Sequence, residues 1–210
     1  GVVPVKQLAA RAAHIVRSGP AAGVIAAARV AVEAGFTKIV TGDMGGTSFD
    51  VAVVIDGEPE IAETTELDFR VPLRLPMIDV HTIGAGGGSI AHVDRAGILQ
   101  VGPESAGADP GPACYGKGGV KPTVTDAHLL LGRINAADPI GGKGGRPLDV
   151  AAARAAVGAV GRELGLSVEA AAEAILAVVN QNMAGRTRLL SIERGHDPRE
   201  FGLVIFGGAG

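Results

Sequence analysis

Residues 39–53 read Ile-Val-Thr-Gly-Asp-Met-Gly-Gly-Thr-Ser-Phe-Asp-Val-Ala-Val and hold the most informative turn of the chain. The runs on both sides are rich in β-branched residues, which is typical of strands. Gly45 and Gly46 carry no Cβ and can adopt positive φ, so successive backbone N–H groups can converge on an anion. Thr47 and Ser48 add hydroxyl donors. The turn therefore predicts a phosphate-binding loop between two strands, with a tight hairpin as the alternative.

Asp43 opens the same turn with a negative charge that would repel a bare phosphate. A Mg²⁺ ion between them removes this conflict, because Mg²⁺ prefers oxygen ligands and commonly joins carboxylates to substrate phosphates. We therefore predict Asp43 as a metal ligand. The predicted phosphate ligands are Gly45, Gly46, Thr47 and Ser48.

The motif DMGGTSFD at residues 43–50 resembles the second phosphate motif of the actin, hexokinase and heat-shock ATPase superfamily. More narrowly, it resembles the hydantoinase A / 5-oxoprolinase family, whose relatives include acetone carboxylase subunits. One glycine motif is weak support, but six further matches follow in the family's order. They are SGPAAG at 18–23, TIGAGGGSIA at 82–91, GADPGPACYG at 107–116, PTVTDA at 122–127, ERGHDPR at 193–199 and FGGAG at 206–210.

This resemblance implies an α/β lobe of the actin-like, ribonuclease H-like ATPase type, with a mixed sheet and helices on both faces. It implies ATP and Mg²⁺ as cofactors, and Gly207 and Gly208 as the residues that receive adenosine. The expected reaction is the opening of a cyclic amide such as 5-oxoproline or a hydantoin. ATP would phosphorylate the amide carbonyl oxygen, and water would then open the activated imidate phosphate.

The resemblance also implies that residues 1–210 are one partial hydantoinase A-type ATPase domain. An N-terminal lobe with the first phosphate motif would precede it, and more chain would follow. A hydantoinase B-type subunit or fused domain is the expected partner, within an oligomer. Two other functions stay open: a subunit of an ATP-dependent ketone carboxylase, and a nucleotide-gated binding module like actin or a heat-shock ATPase. The glycine-rich loops at 84–88 and 107–116 disfavour the module, because an actin-like switch does not require them.

Composition restricts the classes of partner. The 210 residues are 47% hydrophobic, enough for a sizeable core, and 33 glycines fall in discrete loops. The net charge is −3 and aromatic residues make up 3%, so the basic stripe and stacking platforms of a nucleic-acid binder are missing. The sequence has a single cysteine, and we find in it no secretory segment and no apolar run long enough to span a membrane. These features favour the cytoplasm.

Asp79 and His81 are the predicted catalytic pair on the acyl side of the reaction. Residues at i and i+2 of a strand share a face, so both side chains are expected to point into a cleft beside the glycine loop at 84–88. A carboxylate that orients an imidazole serves general-base chemistry or metal ligation. The alternative is a solvated strand edge. If His92 on a neighbouring strand faces the same way, the three side chains could bind a divalent ion.

The remaining polar residues favour structural roles. Cys114 has no histidine close in sequence to activate it, so we expect a small packed side chain in a loop that shapes the substrate side of the cleft. Thr123, Thr125 and Asp126 precede a helix and are explained by capping. His128 is then expected on the surface of that helix.

Periodicity predicts alternating strands and helices. The last long helix has apolar residues at three- and four-residue spacing, including Ala172, Ile175 and Val179, which predicts a buried face. Asp56-Gly57 is a strong hairpin signal. Helices are predicted over 4–16, from the cap Ser18 to near Gly35, and over 125–133, 149–164 and 168–190. Strands are predicted over 38–41, 49–55 and 58–64, within 71–80, and over 89–93, 98–101 and 203–206, of which the last is expected to be buried. Loops are predicted over 102–122 and 135–147.

Overall fold

The computed structural model describes residues 4–67, 71–139 and 146–210, so part of the predicted 135–147 loop lies outside the described residues. The chain divides into two compact units. The first comprises the described residues up to Asp43, together with Asp50–Thr82 and Thr187–Phe206. The second comprises Met44–Phe49, Ile83–Arg186 and Gly207–Gly210.

The described residues form strands, α-helices and short 3₁₀ helices in alternation. The strands β1–β11 span, in chain order, Ile39–Met44, Phe49–Ile55, Glu58–Pro59, Ile61–Ala62, Thr65–Leu67, Val71–Leu73, Met77–Ile78, Val80–Ile83, Ser89–Val93, Leu99–Ser105 and Gly202–Phe206. The helices α1–α4 span Ser18–Glu33, Val124–Leu130, Val150–Leu164 and Val168–Glu193. The 3₁₀ helices span Val5–Gln7, Ala9–Ile15, Ala113–Tyr115 and Pro198–Glu200.

A mixed five-stranded sheet organises the described residues of the first unit, in the order β11-β1-β2-β3, with β8 also paired to β2. β1 and β11 are parallel, whereas β2 and β3 are antiparallel. The small residues of α1 allow the helix to pack closely on this sheet, and the resulting core buries side chains from both. Its buried members are Val24, Ala27, Ala28, Ala31, Ile39, Ala52, Val54 and Val80.

The Asp56-Gly57 hairpin is confirmed. Both residues have positive φ, 53° and 79°, as a two-residue type I′ turn requires. The turn places Ile55 opposite Glu58 in the antiparallel β2–β3 pair.

The start of α1 corrects one prediction. Ser18 is the first helical residue and not the cap; Arg17 precedes it in a left-handed conformation with φ 57°, without a side-chain capping bond. The helix ends at Glu33, and Gly35 follows with φ 89°, close to the predicted end. The predicted helix over 4–16 is also different, because this segment forms two exposed 3₁₀ turns.

The last strand corrects a second prediction. β11 is not fully buried: Leu203 is 61% exposed and Ile205 44% exposed. Alternate residues, Val204 and Phe206, pack against the α1 core instead. In the described sheet, β11 lies at the edge and buries one face, so its continuous apolar sequence does not mean burial on both sides.

The second unit contains the antiparallel β9–β10 pair, α2, α3 and most of α4. Thr123 and Asp126 form a capping box at the start of α2, and Asp149 caps α3 through the backbone N–H of Ala152. The buried face predicted for α4 is confirmed, because Ala172, Ile175, Leu176 and Val179 are each at most 3% exposed.

Among the described residues, no single helix is both long and apolar enough to cross a membrane. The 3₁₀ helix Ala9–Ile15 and α1 pass that test together, by length and composition only, with a 54° bend between them.

Candidate functional site

Glycine segments that are distant in sequence are joined by backbone hydrogen bonds in the second unit. The N–H groups of Gly87 and Gly88 donate to the carbonyl oxygens of Gly45 and Gly46, over 3.0 and 2.6 Å. The Gly45 N–H donates in turn to the Ser48 carbonyl oxygen over 2.9 Å and closes the turn. The predicted phosphate loop and the second glycine cluster are therefore one structure.

Close packing explains the glycine at position 86. A Cβ there would lie 2.8 Å from the backbone of Gly45 and Gly46, closer than side-chain carbons approach. At Gly46, by contrast, an added Cβ would meet no atom within 4 Å. Gly86 is needed for the contact between the two loops, whereas Gly46 leaves space open.

The conformation of the loop differs from the expected one. Neither Gly45 nor Gly46 has a left-handed φ, so the loop does not use the positive φ that glycine permits at these positions. Their carbonyl groups accept hydrogen bonds from the Gly87 and Gly88 amides. The shape of the loop therefore depends on these contacts as well as on its own residues. In the part of the chain that the structure describes, the backbone N–H groups of Gly46 and Thr47 donate to no protein acceptor.

The final residues of the chain join the same group of loops. The Ala209 N–H donates to the Met44 carbonyl oxygen over 2.9 Å, so residues 207–210 lie beside the start of the phosphate loop. Gly207 has φ 97°, which a side chain would strain. The two predicted nucleotide segments, 45–48 and 207–208, are thereby brought together.

A cavity of about 560 Å³ opens where these loops meet. Binding sites for small molecules typically have volumes of roughly 300–1,000 Å³. Glycine backbones form part of the lining, namely Gly46, Gly87, Gly88, Gly107, Gly208 and Gly210, and larger residues form the rest, namely Pro112, Tyr115, Thr125, His128, Arg133, Ile134, Pro139, Leu148 and Ala209.

Tyr115, His128 and Arg133 were missed as site residues by sequence reasoning. His128 is half-buried and lines the cavity, so its expected place on the helix surface is wrong. Burial, and after it the charge of Arg133, lowers the pKa of His128. The available signal was the three-residue spacing from Thr125, which places both side chains on one face of α2.

Asp43, the predicted metal ligand, lies in β1 in the first unit, two residues before Gly45 in sequence. Burial, and after it the negative charge of Asp50, raises the pKa of the Asp43 carboxyl. The Asp50 carboxylate also accepts a hydrogen bond from the Thr82 hydroxyl. A partly buried carboxylate with a second carboxylate nearby is a suitable donor set for a hard divalent cation such as Mg²⁺.

Asp79 and His81 come together in the first unit, but Asp79 lies between β7 and β8 and not within a strand, and neither residue is among those that line the cavity described above. An Asp79 oxygen, Oδ1, lies 3.1 Å from His81 Nε2, and both side chains are largely buried, with 24% and 29% exposed. The other oxygen, Oδ2, accepts a hydrogen bond from Arg194 Nη2. Arg194 Nη2 also lies 3.1 Å from His81 Nε2, and Arg194 Nε pairs with Glu60 at 2.5 Å.

Arg194 is a member of this cluster that sequence reasoning missed. It follows α4 and is 115 positions from Asp79, so no local pattern links them. The hydrogen bond with His81 is the largest cause that lowers the pKa of Asp79, and the charges of His81 and Arg194 act in the same direction against burial. Asp79 is therefore held as a carboxylate whose two oxygens are both engaged.

The proposed three-residue metal site with His92 is not formed. His92 lies exposed on β9 in the second unit, whereas Asp79 and His81 belong to the first. Within residues 4–67, 71–139 and 146–210, no group of three or more His, Cys, Asp or Glu side chains is arranged to hold a metal ion.

Cys114 is a packed residue, as expected. It is fully buried, and burial, followed by Asp126, raises the pKa of its thiol far above the usual range. The Asp126 carboxylate accepts hydrogen bonds from the backbone N–H groups of Ala113, Cys114 and Thr123 and from the Thr123 hydroxyl. This carboxylate fixes the loop before α2 to the helix cap.

The fold and the site define an α/β ATPase-like lobe with a mixed sheet, flanking helices and a glycine-lined cavity. The chain belongs to the hydantoinase/oxoprolinase family, described as Hydantoinase_A, which matches it over residues 1–210.

Relatives whose names state an activity are similar to this chain in sequence. The chain is 47% identical to the caprolactamase subunit alpha of Pseudomonas jessenii over 209 residues, which are 100% of this chain and 30% of the relative. It is 40% identical to the 5-oxoprolinase PfmaA of Pestalotiopsis fici, over 92% of this chain and 16% of that protein. The chain thus spans less than a third of the length of these relatives.

Two solved structures are similar over 88% of the chain, each with a TM-score of 0.76. One is the ATP-dependent caprolactamase of Pseudomonas jessenii, with 46% identity over 27% of its chain. The other is a nucleotide-free structure of acetone carboxylase, an enzyme of ATP-dependent acetone carboxylation, with 32% identity over 26% of its chain.

Proposed function

We propose that the intact protein uses ATP to open a cyclic amide such as 5-oxoproline, a hydantoin or a related lactam. The observation that carries this proposal is the meeting of the segments 45–48, 84–88 and 207–210, of which Gly46, Gly87, Gly88 and residues 208–210 line one cavity. Backbone amides and space without Cβ atoms suit a polyphosphate, and the named activities of the relatives supply the reaction class.

The loop residues take different parts in this proposal. Gly46 and Thr47 offer backbone N–H groups that have no protein acceptor among the described residues, and Thr47 and Ser48 add hydroxyls. Gly45 has its N–H and carbonyl groups engaged within the protein, so it shapes the loop. Gly208 lines the cavity and would receive adenosine, while Gly207 provides the left-handed turn before it.

Asp43 is the proposed Mg²⁺ ligand, directly or through water, and the negative charge of Asp50, which acts on Asp43, would help to attract the ion. The bound ion would screen the phosphate charge during transfer to the amide carbonyl oxygen. That oxygen forms a bond to the terminal phosphorus as ADP leaves. Attack of one water on the carbon of this imidate phosphate, with a proton passed to the ring nitrogen, would break the C–N bond and leave an acyl phosphate. A second water would then hydrolyse the acyl phosphate to the carboxylate and phosphate.

Asp79 and His81 remain the proposed pair on the acyl side. Because both oxygens of Asp79 are engaged by His81 and Arg194, Asp79 is suited to orient the imidazole and not to abstract a proton. His81 is then the group that would exchange protons with water or with the leaving amine.

The chain is proposed to be the ATPase domain of a longer enzyme whose other lobe supplies further phosphate donors. The names of relatives as subunits support partner subunits in general. The partner is proposed to be of the hydantoinase B type, within an oligomer. The cytoplasm is the proposed compartment, because the buried thiol of Cys114 is unpaired and reducing conditions preserve free thiols.

Ketone carboxylation is the second candidate, favoured by the similarity to acetone carboxylase. The same phosphoryl transfer would activate an enolate oxygen or bicarbonate instead of an amide. Both candidates use the same glycine cavity, so the substrate decides between them.

The test is a comparison of ATP cleavage by the intact protein with its partner subunits. The candidate substrates are 5-oxoproline, hydantoin, caprolactam, and acetone with bicarbonate. Ring opening coupled to phosphate release supports the first proposal, and carboxylation supports the second. ATP cleavage that none of these compounds stimulates would contradict both.

A further inference from the structure

The cavity has a second kind of lining that the phosphate role does not explain. Tyr115, His128 and Arg133 contribute an aromatic ring, an imidazole and a guanidinium to it. Ile134 and Leu148 line it as well, and both pack against the buried cluster of Cys114, Leu129 and Ala153. We call these five side chains the side-chain wall of the cavity. Through Ile134 and Leu148, this wall is supported by the core of the second unit.

Helix α2 places the wall at a distance from the glycine loops. Thr125 lies at the glycine end, because its hydroxyl donates to the Gly87 carbonyl oxygen over 2.8 Å. His128 follows three residues later, about 4.5 Å along the axis at 1.5 Å per residue. Arg133 lies beyond the end of the helix, and its N–H donates to the His128 carbonyl oxygen over 3.0 Å. The lining of the cavity thus changes along α2, from glycine backbone near Thr125 to side chains near His128 and Arg133.

The wall is held in place before any ligand binds. A Cβ at Gly111 would lie 2.8 Å from Tyr115 Cδ2, so the glycine permits the aromatic ring to lie close to the backbone. The N–H of Tyr115 donates to the Pro112 carbonyl oxygen over 3.0 Å within the 3₁₀ turn. The Asp126 carboxylate holds the same turn through Ala113 and Cys114.

We propose that Tyr115, His128 and Arg133 form the nucleoside end of this cavity and that His128 is a specificity-determining residue for the base and ribose. This inference rests on the proposed function, because it assumes that residues 45–48 hold the phosphates, and it adds three side chains to the adenosine contacts proposed for Gly207 and Gly208. A nucleoside triphosphate has the matching polarity, with a polyanionic end and a planar heterocycle with polar edges.

The chemistry of each side chain fits this ligand. An aromatic ring and a guanidinium both offer planar faces on which a base can stack. A neutral imidazole has one donor and one acceptor, which suits the mixed edge of a base or the hydroxyls of ribose. The lowered pKa of His128 is consistent with a neutral ring at pH 7.

The test is calorimetry of the intact protein with ATP and with inorganic tripolyphosphate, which lacks the nucleoside. The variants are Tyr115→Leu and His128→Leu, with His14→Leu, an exposed histidine of the first unit, as the matched control. We expect both wall variants to raise the Kd for ATP at least tenfold and to leave the Kd for tripolyphosphate within twofold. His14→Leu should change neither.

A second measurement covers the case in which a wall variant does not fold. Photolabelling of the wild-type protein with 8-azidoadenosine triphosphate should mark peptides within residues 112–134. Labelling elsewhere, or wall variants that keep the ATP Kd within twofold, would overturn the nucleoside assignment but leave the phosphate site intact. Absence of any ATP binding by the wild-type protein would instead refute the proposed function and the inference with it.

Discussion

The hydroxyl and the backbone N–H of Thr125 both donate 2.8 Å hydrogen bonds to the carbonyl oxygen of Gly87. The first turn of α2 is thereby joined to the glycine cluster whose amides hold Gly45 and Gly46. A shift of this cluster would change both the phosphate loop and the position of His128.

Valine substitutions at Gly46 and Gly86 should have opposite profiles. Gly46→Val should weaken ATP binding at least tenfold with little loss of stability, because its side chain would enter open space in the cavity. Gly86→Val should lower the free energy of unfolding by about 1–3 kcal/mol, because its Cβ would overlap the neighbouring loop backbone. Calorimetry and urea unfolding measure the two effects, and unchanged ATP binding by Gly46→Val would contradict the phosphate role.

Asp43→Asn should abolish ATP hydrolysis in the intact protein and leave the fold unchanged. The amide keeps the shape of the carboxylate but lacks the charge that a Mg²⁺ ligand needs, so the loss should amount to several kcal/mol of transition-state stabilisation. Asp138→Asn, at an exposed position, is the control. Near-normal turnover of Asp43→Asn at saturating Mg²⁺ would refute the metal assignment.

The contribution of Asp79 to stability should depend on pH. Its pKa in the folded protein is below the ordinary value of 3.8, chiefly through the hydrogen bond with His81. A lowered pKa means that the stabilisation is present at neutral pH and is lost as the pH falls below about 4. Asp79→Asn should therefore cost roughly 1–3 kcal/mol at pH 7 and less near pH 3. An equal cost at both values in urea unfolding would show that the charge contributes nothing.

Cys114 should react with thiol reagents only after unfolding. The side chain is fully buried, and burial with the nearby Asp126 carboxylate raises its pKa, so both access and thiolate are lacking. Mass spectrometry of the Cys114 peptide after iodoacetamide treatment checks this, with guanidinium-denatured protein as the positive control. Rapid labelling of the native protein would reopen a nucleophilic role.

The sequence alone was sufficient where local chemistry decides the outcome. Asp56-Gly57 specified its hairpin because few residue pairs accept positive φ at both positions. Thr123 and Asp126 specified a helix start because each satisfies the other's backbone N–H. The apolar spacing of α4 specified its buried face, and the acidic double-glycine turn was correctly placed between β1 and β2.

Only the tertiary structure decided which distant residues meet. The amides of Gly87 and Gly88 hold the phosphate loop across about forty residues of sequence, and neither Gly45 nor Gly46 has a left-handed φ. Arg194 completes the Asp79–His81 pair from the far end of α4. Such contacts depend on the packing of whole elements, because no local backbone preference connects residues so far apart in the chain.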